Sequence, residues 1–184
     1  APGNLSFNGG GINLKGGELK VDGDLHLDTN LNLKGGKLVV SGDLYIGSNV
    51  NLGGGKVTVS GKVVQSNGTL TVAGGRVEIG KDYRIEREEQ DSAGNITYRV
   101  GYGKLVMTDD ADYVKVGGTF AVYSDEDNSE LTAGTIEVKG DFIQKKWNNH
   151  DSFVASGTHK VILNGSVVQN VSFEDSNCHS NFLY

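Results

Sequence analysis

The strongest constraint on this chain is a repeat of about nineteen residues that runs through its first half. The segments Leu14-Lys-Gly-Gly-Glu-Leu-Lys-Val-Asp-Gly-Asp-Leu25 and Leu33-Lys-Gly-Gly-Lys-Leu-Val-Val-Ser-Gly-Asp-Leu44 are nearly identical in pattern. Leu52-Gly-Gly-Gly-Lys-Val-Thr-Val-Ser-Gly-Lys-Val63 repeats it, and Val72-Ala-Gly-Gly-Arg-Val-Glu-Ile79 begins it again. The second glycine of each pair falls at Gly17, Gly36, Gly55 and Gly75, in steps of 19, 19 and 20. A fixed period of this size means an architecture in which each unit buries its apolar face only against its neighbours.

Within each unit the apolar residues alternate with polar ones in three short bursts. In the first these are Ile12/Leu14, Leu19/Val21 and Leu25/Leu27; in the second, Leu31/Leu33, Leu38/Val40 and Leu44/Ile46. Period-two alternation marks a strand with one buried face, and the glycines between bursts mark corners. The later half keeps the register. Leu105/Met107, Val114/Val116 and Phe120/Val122 form a fifth unit, and Leu131, Ile136/Val138 and Phe142 a sixth. Phe153/Ala155, Val161/Leu163 and Val167 form a seventh, with Val171 and Phe173 opening an eighth. No window carries a long 3.6-residue apolar pattern, so helix is not expected. The predicted fold is all-β: a right-handed parallel β-helix of seven to eight coils, each 19–20 residues, with a β-hairpin insertion near 83–103. It is read as a single domain over 1–184.

Composition narrows the function classes. The chain has 184 residues, 28 glycines, one proline and a formal net charge of −6 with the two signs interspersed. No basic block argues for nucleic acid or an anionic membrane, and no apolar run is long enough to enter a bilayer as a helix. The single cysteine, Cys178, excludes an internal disulfide framework. No cofactor or metal is expected: the Gly-Gly-x-Gly-x-Asp calcium signature is absent, and His26, His150, His159 and His179 share no ligand spacing and read as surface or corner residues.

The coil formula x-Leu-x-Leu-x-Gly-Gly-x-Leu-x-Val-x-Gly-x-Leu resembles the β-helical repeats of filamentous-haemagglutinin-type adhesins and other large bacterial surface proteins. The resemblance implies a stalk or adhesin segment of a larger protein, secreted or held at the bacterial cell surface. It carries over no functional residue.

Three features of the outward positions bear on binding. Asn13, Asn32, Asn51 and Thr71 align on the first face, and Glu18, Lys37, Lys56 and Arg76 just after the glycine pair, the latter suggesting a solvated face or a weak anion-binding strip. The outward series of the third face, His26, Tyr45, Val64, Arg84, Ala121, Ile143 and Val168, is too apolar for open solvent, so another part of the chain or a partner is expected to cover it. Finally, three later coils carry extra residues at 86–103, 123–128 and 145–152, always between the third strand and the next first strand. Insertions at one corner of successive coils lie side by side.

The first insertion reads as a hairpin, Tyr83 to Glu88 and Ile96 to Val100 around a turn at Asp91–Asn95, able to fold over the third face. Together the insertions supply aromatic, amide and carboxylate groups suited to stacking on and hydrogen bonding sugars. The candidate ligand-binding residues are Tyr98, Tyr123, Asp125, Asp127, Trp147, Asn148, His150 and Asp151, with Tyr102 nearby. The expected function is a non-catalytic module binding polysaccharide or a host or cell-surface protein along this edge, with no catalytic residue assigned. The alternative is a polysaccharide lyase or hydrolase on the same scaffold, for which Asp125 or Asp127 with Asp151 would supply the paired carboxylates. Unpaired strand edges at the terminal coils, with little capping in Asn181, Phe182, Leu183 and Tyr184, predict end-to-end self-association or truncation.

Overall fold

The computed structural model describes residues 3–148 and 152–174. These contain strands and turns and no helix, so no helix is long and apolar enough to cross a membrane. Each coil visits three sheets in turn. The first sheet joins Ile12–Asn13, Leu31–Asn32, Val50–Asn51, Asn67–Thr71 and Tyr102–Val106 and is extended by single bridges from Met107 to Leu131 and from Leu131 to Ala155. The second has seven strands, from Glu18–Val21 to Lys160–Leu163, and the third eight, from Leu5–Phe7 to Val171–Phe173. Neighbouring strands within all three sheets are parallel, as stacked coils require.

The repeat sets the register. Leu19 pairs with Leu38, Leu38 with Val57, and Val57 with Val77, so like positions in consecutive coils share one interior column. The Asn13, Asn32, Asn51 and Thr71 column is likewise formed. Core composition changes along the axis. Early coils fill the interior with Leu, Val and Ile; later ones bring in Tyr83, Phe120, Phe142 and Phe153, all fully buried. Ring centroids of Phe120 and Phe142 lie 5.4 Å apart, and those of Phe142 and Phe153 4.9 Å apart. The one polar tip among these four rings, the Tyr83 hydroxyl, donates to Gln65 Oε1 at 2.6 Å.

The two glycines of each pair serve different needs. Lys34 (φ 47°) and Gly35 (φ 81°) both take left-handed backbone in a turn closed by Gly36 N–H donating to Leu33 O at 2.9 Å. Gly36 itself needs space: a Cβ there would lie 2.4 Å from the Gly17 carbonyl oxygen of the coil beneath. A second ladder holds the corner before the third sheet. Asn4 Oδ1 accepts from the Asp24 amide, Asp24 Oδ1 from the Asp43 amide and Asp43 Oδ1 from the Lys62 amide, at 2.8–2.9 Å. Asp82 to Thr119 and Asp141 to Asn170 continue the device.

Four expectations need correction. The hairpin is shorter than 83–103: only Arg87–Gln90 and Ile96–Arg99 pair antiparallel, while Tyr83–Ile85 and Tyr102–Val106 belong to the stacked sheets. Val168 does not follow Ile143 on the third face; Ser172 does, and Val168 is 88% exposed. Correspondingly, Val167 is not the third-sheet residue of its coil. Val171–Phe173 fills that role rather than opening a further coil, because Phe173 brings its ring 5.5 Å from Phe142 and so extends the aromatic column. His159 lies at a corner, but it is buried rather than superficial, with Nδ1 2.8 Å from the Ala133 carbonyl.

Candidate binding edge

All three insertions follow a third-sheet strand, so stacking places their roots in one column: Glu86 after Ile85, Tyr123 after Val122, Lys145 after Gln144. Glu86 is fully buried. Its carboxylate accepts from Arg84 Nη1 at 3.0 Å and from Lys145 Nζ at 2.8 Å. Arg84 also bonds Asp82 at 2.9 Å, so two cations meet two carboxylates and little net charge is left in the cluster.

Each cation in turn carries a ring. The Arg84 guanidinium sits 4.2 Å from the centroid of Tyr98, on the hairpin, and Lys145 Nζ 5.4 Å from that of Tyr123. Tyr123 meets Trp147 edge to face, centroids 5.9 Å apart. Tyr98, Arg84, Glu86, Lys145, Tyr123 and Trp147 therefore form a continuous chain that ties the three insertions together.

The hairpin is held down at a second point, since Glu88 bonds Lys62. Its turn is set by Asp91, whose Oδ1 accepts from the amides of Ala93 (2.9 Å) and Asn95 (2.8 Å). The Asn95 side chain and backbone bonds lower the Asp91 pKa. The expectation of a covered third face is met in part: Val64 is only 2% exposed, Ala121 is fully buried, and Tyr98 lies over Arg84.

The loop at 123–128 is anchored by polar side chains that replace a missing strand. Asn128 Oδ1 accepts from the Leu105 amide at 2.7 Å, the position that a carbonyl of the next coil takes elsewhere in the first sheet. Ser124 Oγ donates to the Gly103 carbonyl at 2.8 Å. Between these anchors Asp125 is half-buried and Asp127 exposed, and among the described residues neither carboxylate has a partner. At 145–152, Gln144 Nε2 donates to Ser152 Oγ at 2.6 Å, closing the loop's base. Trp147 is 36% exposed and Asn148 exposed beside it.

Of the residues proposed from sequence, Tyr123 and Trp147 are in contact, Asp125 and Asp127 share Tyr123's loop, and Asn148 follows Trp147. Among the described residues Tyr98 joins them through Arg84, Glu86 and Lys145, its ring lying on the guanidinium. Tyr102 is a rung residue of the first sheet. His150 and Asp151 lie outside the described residues, as do Asn149, Cys178 and residues 181–184. Sequence reasoning missed Glu86 and Lys145. Their opposite charges in one outward column, two coils apart, were the available signal. The cation strip is also modified: Lys56 and Arg76 both bond Glu78, at 2.7 and 2.6 Å, which satisfies much of their charge.

Parallel strands in three stacked sheets, read in turn by a repeating chain, place this protein in the class of β-solenoid-type folds. No protein family, curated protein or solved structure matches it.

Proposed function

We propose that this chain is a non-catalytic module of a larger secreted or cell-surface bacterial protein, a stalk or adhesin segment that binds polysaccharide along the insertion edge. The observation that carries the reading is the exposed Trp147, held edge to face by Tyr123, whose own loop carries the carboxylates of Asp125 and Asp127 with no partner among the described residues. An exposed aromatic face on the same edge as free hydrogen-bonding groups suits the C–H face and hydroxyls of a sugar. The Glu86 cluster supports it further, because a site spanning three loops must hold them in fixed relation.

The scaffold reading that accompanies this is a right-handed β-helix of seven to eight coils. Seven strands in the second sheet and eight in the third support the count, and parallel strands joined by crossovers in one sheet are almost always right-handed.

A glycan array probed with wild type and with Trp147→Ala tests the function. Binding of one polysaccharide class that falls about tenfold or more in the variant, a difference of ~1.4 kcal/mol, is the expected result. An array with no bound glycan, or binding indifferent to Trp147, would overturn it. Release of reducing ends or unsaturated products from a bound glycan would overturn the non-catalytic part.

A further inference from the structure

Among the described residues the stack ends in open strand edges at both of its faces. The first coil presents Leu5–Phe7, Ile12–Asn13 and Glu18–Val21; the last presents Lys160–Leu163 and Val171–Phe173, with Ala155 in the first sheet. Inward side chains are incompletely covered there. Leu5, Phe7 and Leu19 are only partly buried, whereas Leu25, Leu27 and Leu38, one coil on, are fully buried. At the far end Val161 and Phe173 are partly buried, and Val171 and Leu163 are 45% and 37% exposed.

Three hydrogen-bond series run along the stack and break off at its ends. In the second sheet the N–H groups of Lys37, Lys56, Arg76 and Lys160 each donate to a glycine carbonyl of the coil before, at 2.9–3.0 Å. Glu18 heads that column, so its N–H has no coil to donate to, and the next acceptor, His159 O, has no donor. In the third sheet Leu5 N–H donates forward to Asp24 O and Phe142 N–H to Asn170 O, at 2.8 and 2.9 Å. That series leaves the Asn4 carbonyl at one end and the Val171 N–H at the other. The corner ladder that starts at Asn4 finishes at Asn170, whose Nδ2 bonds Asp141. Among the described residues Asn170 Oδ1, the Asn4 N–H and the side chains of Glu18 and Lys160 have no partner.

We propose that these two faces bind each other between copies of the chain, the first coil of one molecule stacking head to tail on the last coil of another. The columns fix the register. Leu5 meets Val171, Phe7 meets Phe173 and Leu19 meets Val161, each closing an interior column. Every open group then faces its complement: Glu18 N–H donates to His159 O, Val171 N–H to Asn4 O, and Asn4 N–H to Asn170 Oδ1. At the rim the Glu18 carboxylate lies beside the Lys160 ammonium, since the column that begins with one ends with the other. Two first coils meeting face to face would instead leave His159 O, the Val171 N–H and Asn170 Oδ1 unused. A joint between unlike faces does not close, so copies add into a rod, and both unpaired edges are covered. No residue of the insertion edge takes part, so the glycan reading is not needed for it.

Sedimentation velocity and small-angle X-ray scattering of the full chain, carried up to millimolar concentration, test it. Oligomers of constant cross-section that lengthen in steps of one molecule, about 35 Å, are expected. Glu18→Lys places two cations at the joint and Lys160→Glu two carboxylates, and each should weaken association about fivefold. The double variant Glu18→Lys/Lys160→Glu exchanges the two charges and should restore association to the wild-type level. Far-ultraviolet circular dichroism should be the same for all three variants, because both side chains are exposed. A chain that stays monomeric throughout would overturn the proposal. So would association that ignores the single charge reversals, or that the double variant fails to restore, since the contact would then lie elsewhere.

Discussion

Lys145 Nζ lies 2.8 Å from Oε1 of Glu86, a fully buried carboxylate 59 residues earlier in the chain. The lysine reaches past the ring of Tyr123, which belongs to the coil between them. One ion pair thus spans the roots of all three insertions.

Removing the cation should therefore be costly. Lys145→Met leaves Glu86 buried with Arg84 alone and is expected to destabilise the fold by about 3 kcal/mol, the usual scale for breaking a buried pair from one side. The double variant Lys145→Met/Glu86→Gln should recover part of that loss, because the stranded charge is gone. Urea unfolding of both checks this, and a double variant less stable than Lys145→Met would contradict the assignment.

The paired corner glycines should respond differently to the same substitution. At Gly35 the backbone is left-handed (φ 81°) but nothing lies within 4 Å of a Cβ, so Gly35→Ala should cost ~1–2 kcal/mol of conformational strain. At Gly36 the conformation is ordinary but the added carbon would lie 2.4 Å from Gly17 O and 2.9 Å from Leu33 O, both backbone. Two coils must separate to admit it, at a cost of about 3 kcal/mol or more. Thermal midpoints should rank wild type above Gly35→Ala and Gly35→Ala above Gly36→Ala.

Acid should weaken the protein in two stages. Burial lowers the pKa of His159 from its ordinary 6.5, outweighing its bond to Ala133. The unfolded chain then takes up that proton more readily than the folded one, so stability is full above 6.5 and declines as pH falls below it. Glu137 is held at about 2, against an ordinary 4.5, first by the Tyr113 hydroxyl, then by the Asn164 amide and Lys115. Its contribution is complete above 4.5 and is lost between there and about 2. Melting temperatures followed from neutral to strongly acidic pH should show both declines. His159→Gln should remove the first and Tyr113→Phe should shrink the second; unchanged profiles would refute the assignments.

The first coils were the most legible because they are short and uninterrupted. Leu19, Leu38 and Val57 could be aligned by counting, and the glycine pairs confirmed the count. Beyond Ile85 counting becomes ambiguous, since each insertion hides how many residues separate one strand from its partner. Val168 and Ser172 show the consequence. Both follow a plausible corner, and only the packing of Phe173 on Phe142 selects the second. Asn128 was equally hidden: an asparagine in an acidic loop gives no sign that its side chain replaces a carbonyl in the first sheet.

Alternation and corner glycines are local consequences of strand geometry and backbone sterics, so the sequence alone determined that strands would stack and, in the uninterrupted coils, which side chains would face inward. It also placed the insertions at one corner, because position within a repeat is position in space. The meeting of Glu86 with Lys145, the burial of His159 and the seating of Tyr98 on Arg84 were decided only by the tertiary structure. These depend on how far a long side chain or an inserted loop reaches across coils, a distance set by packing and not by order along the chain.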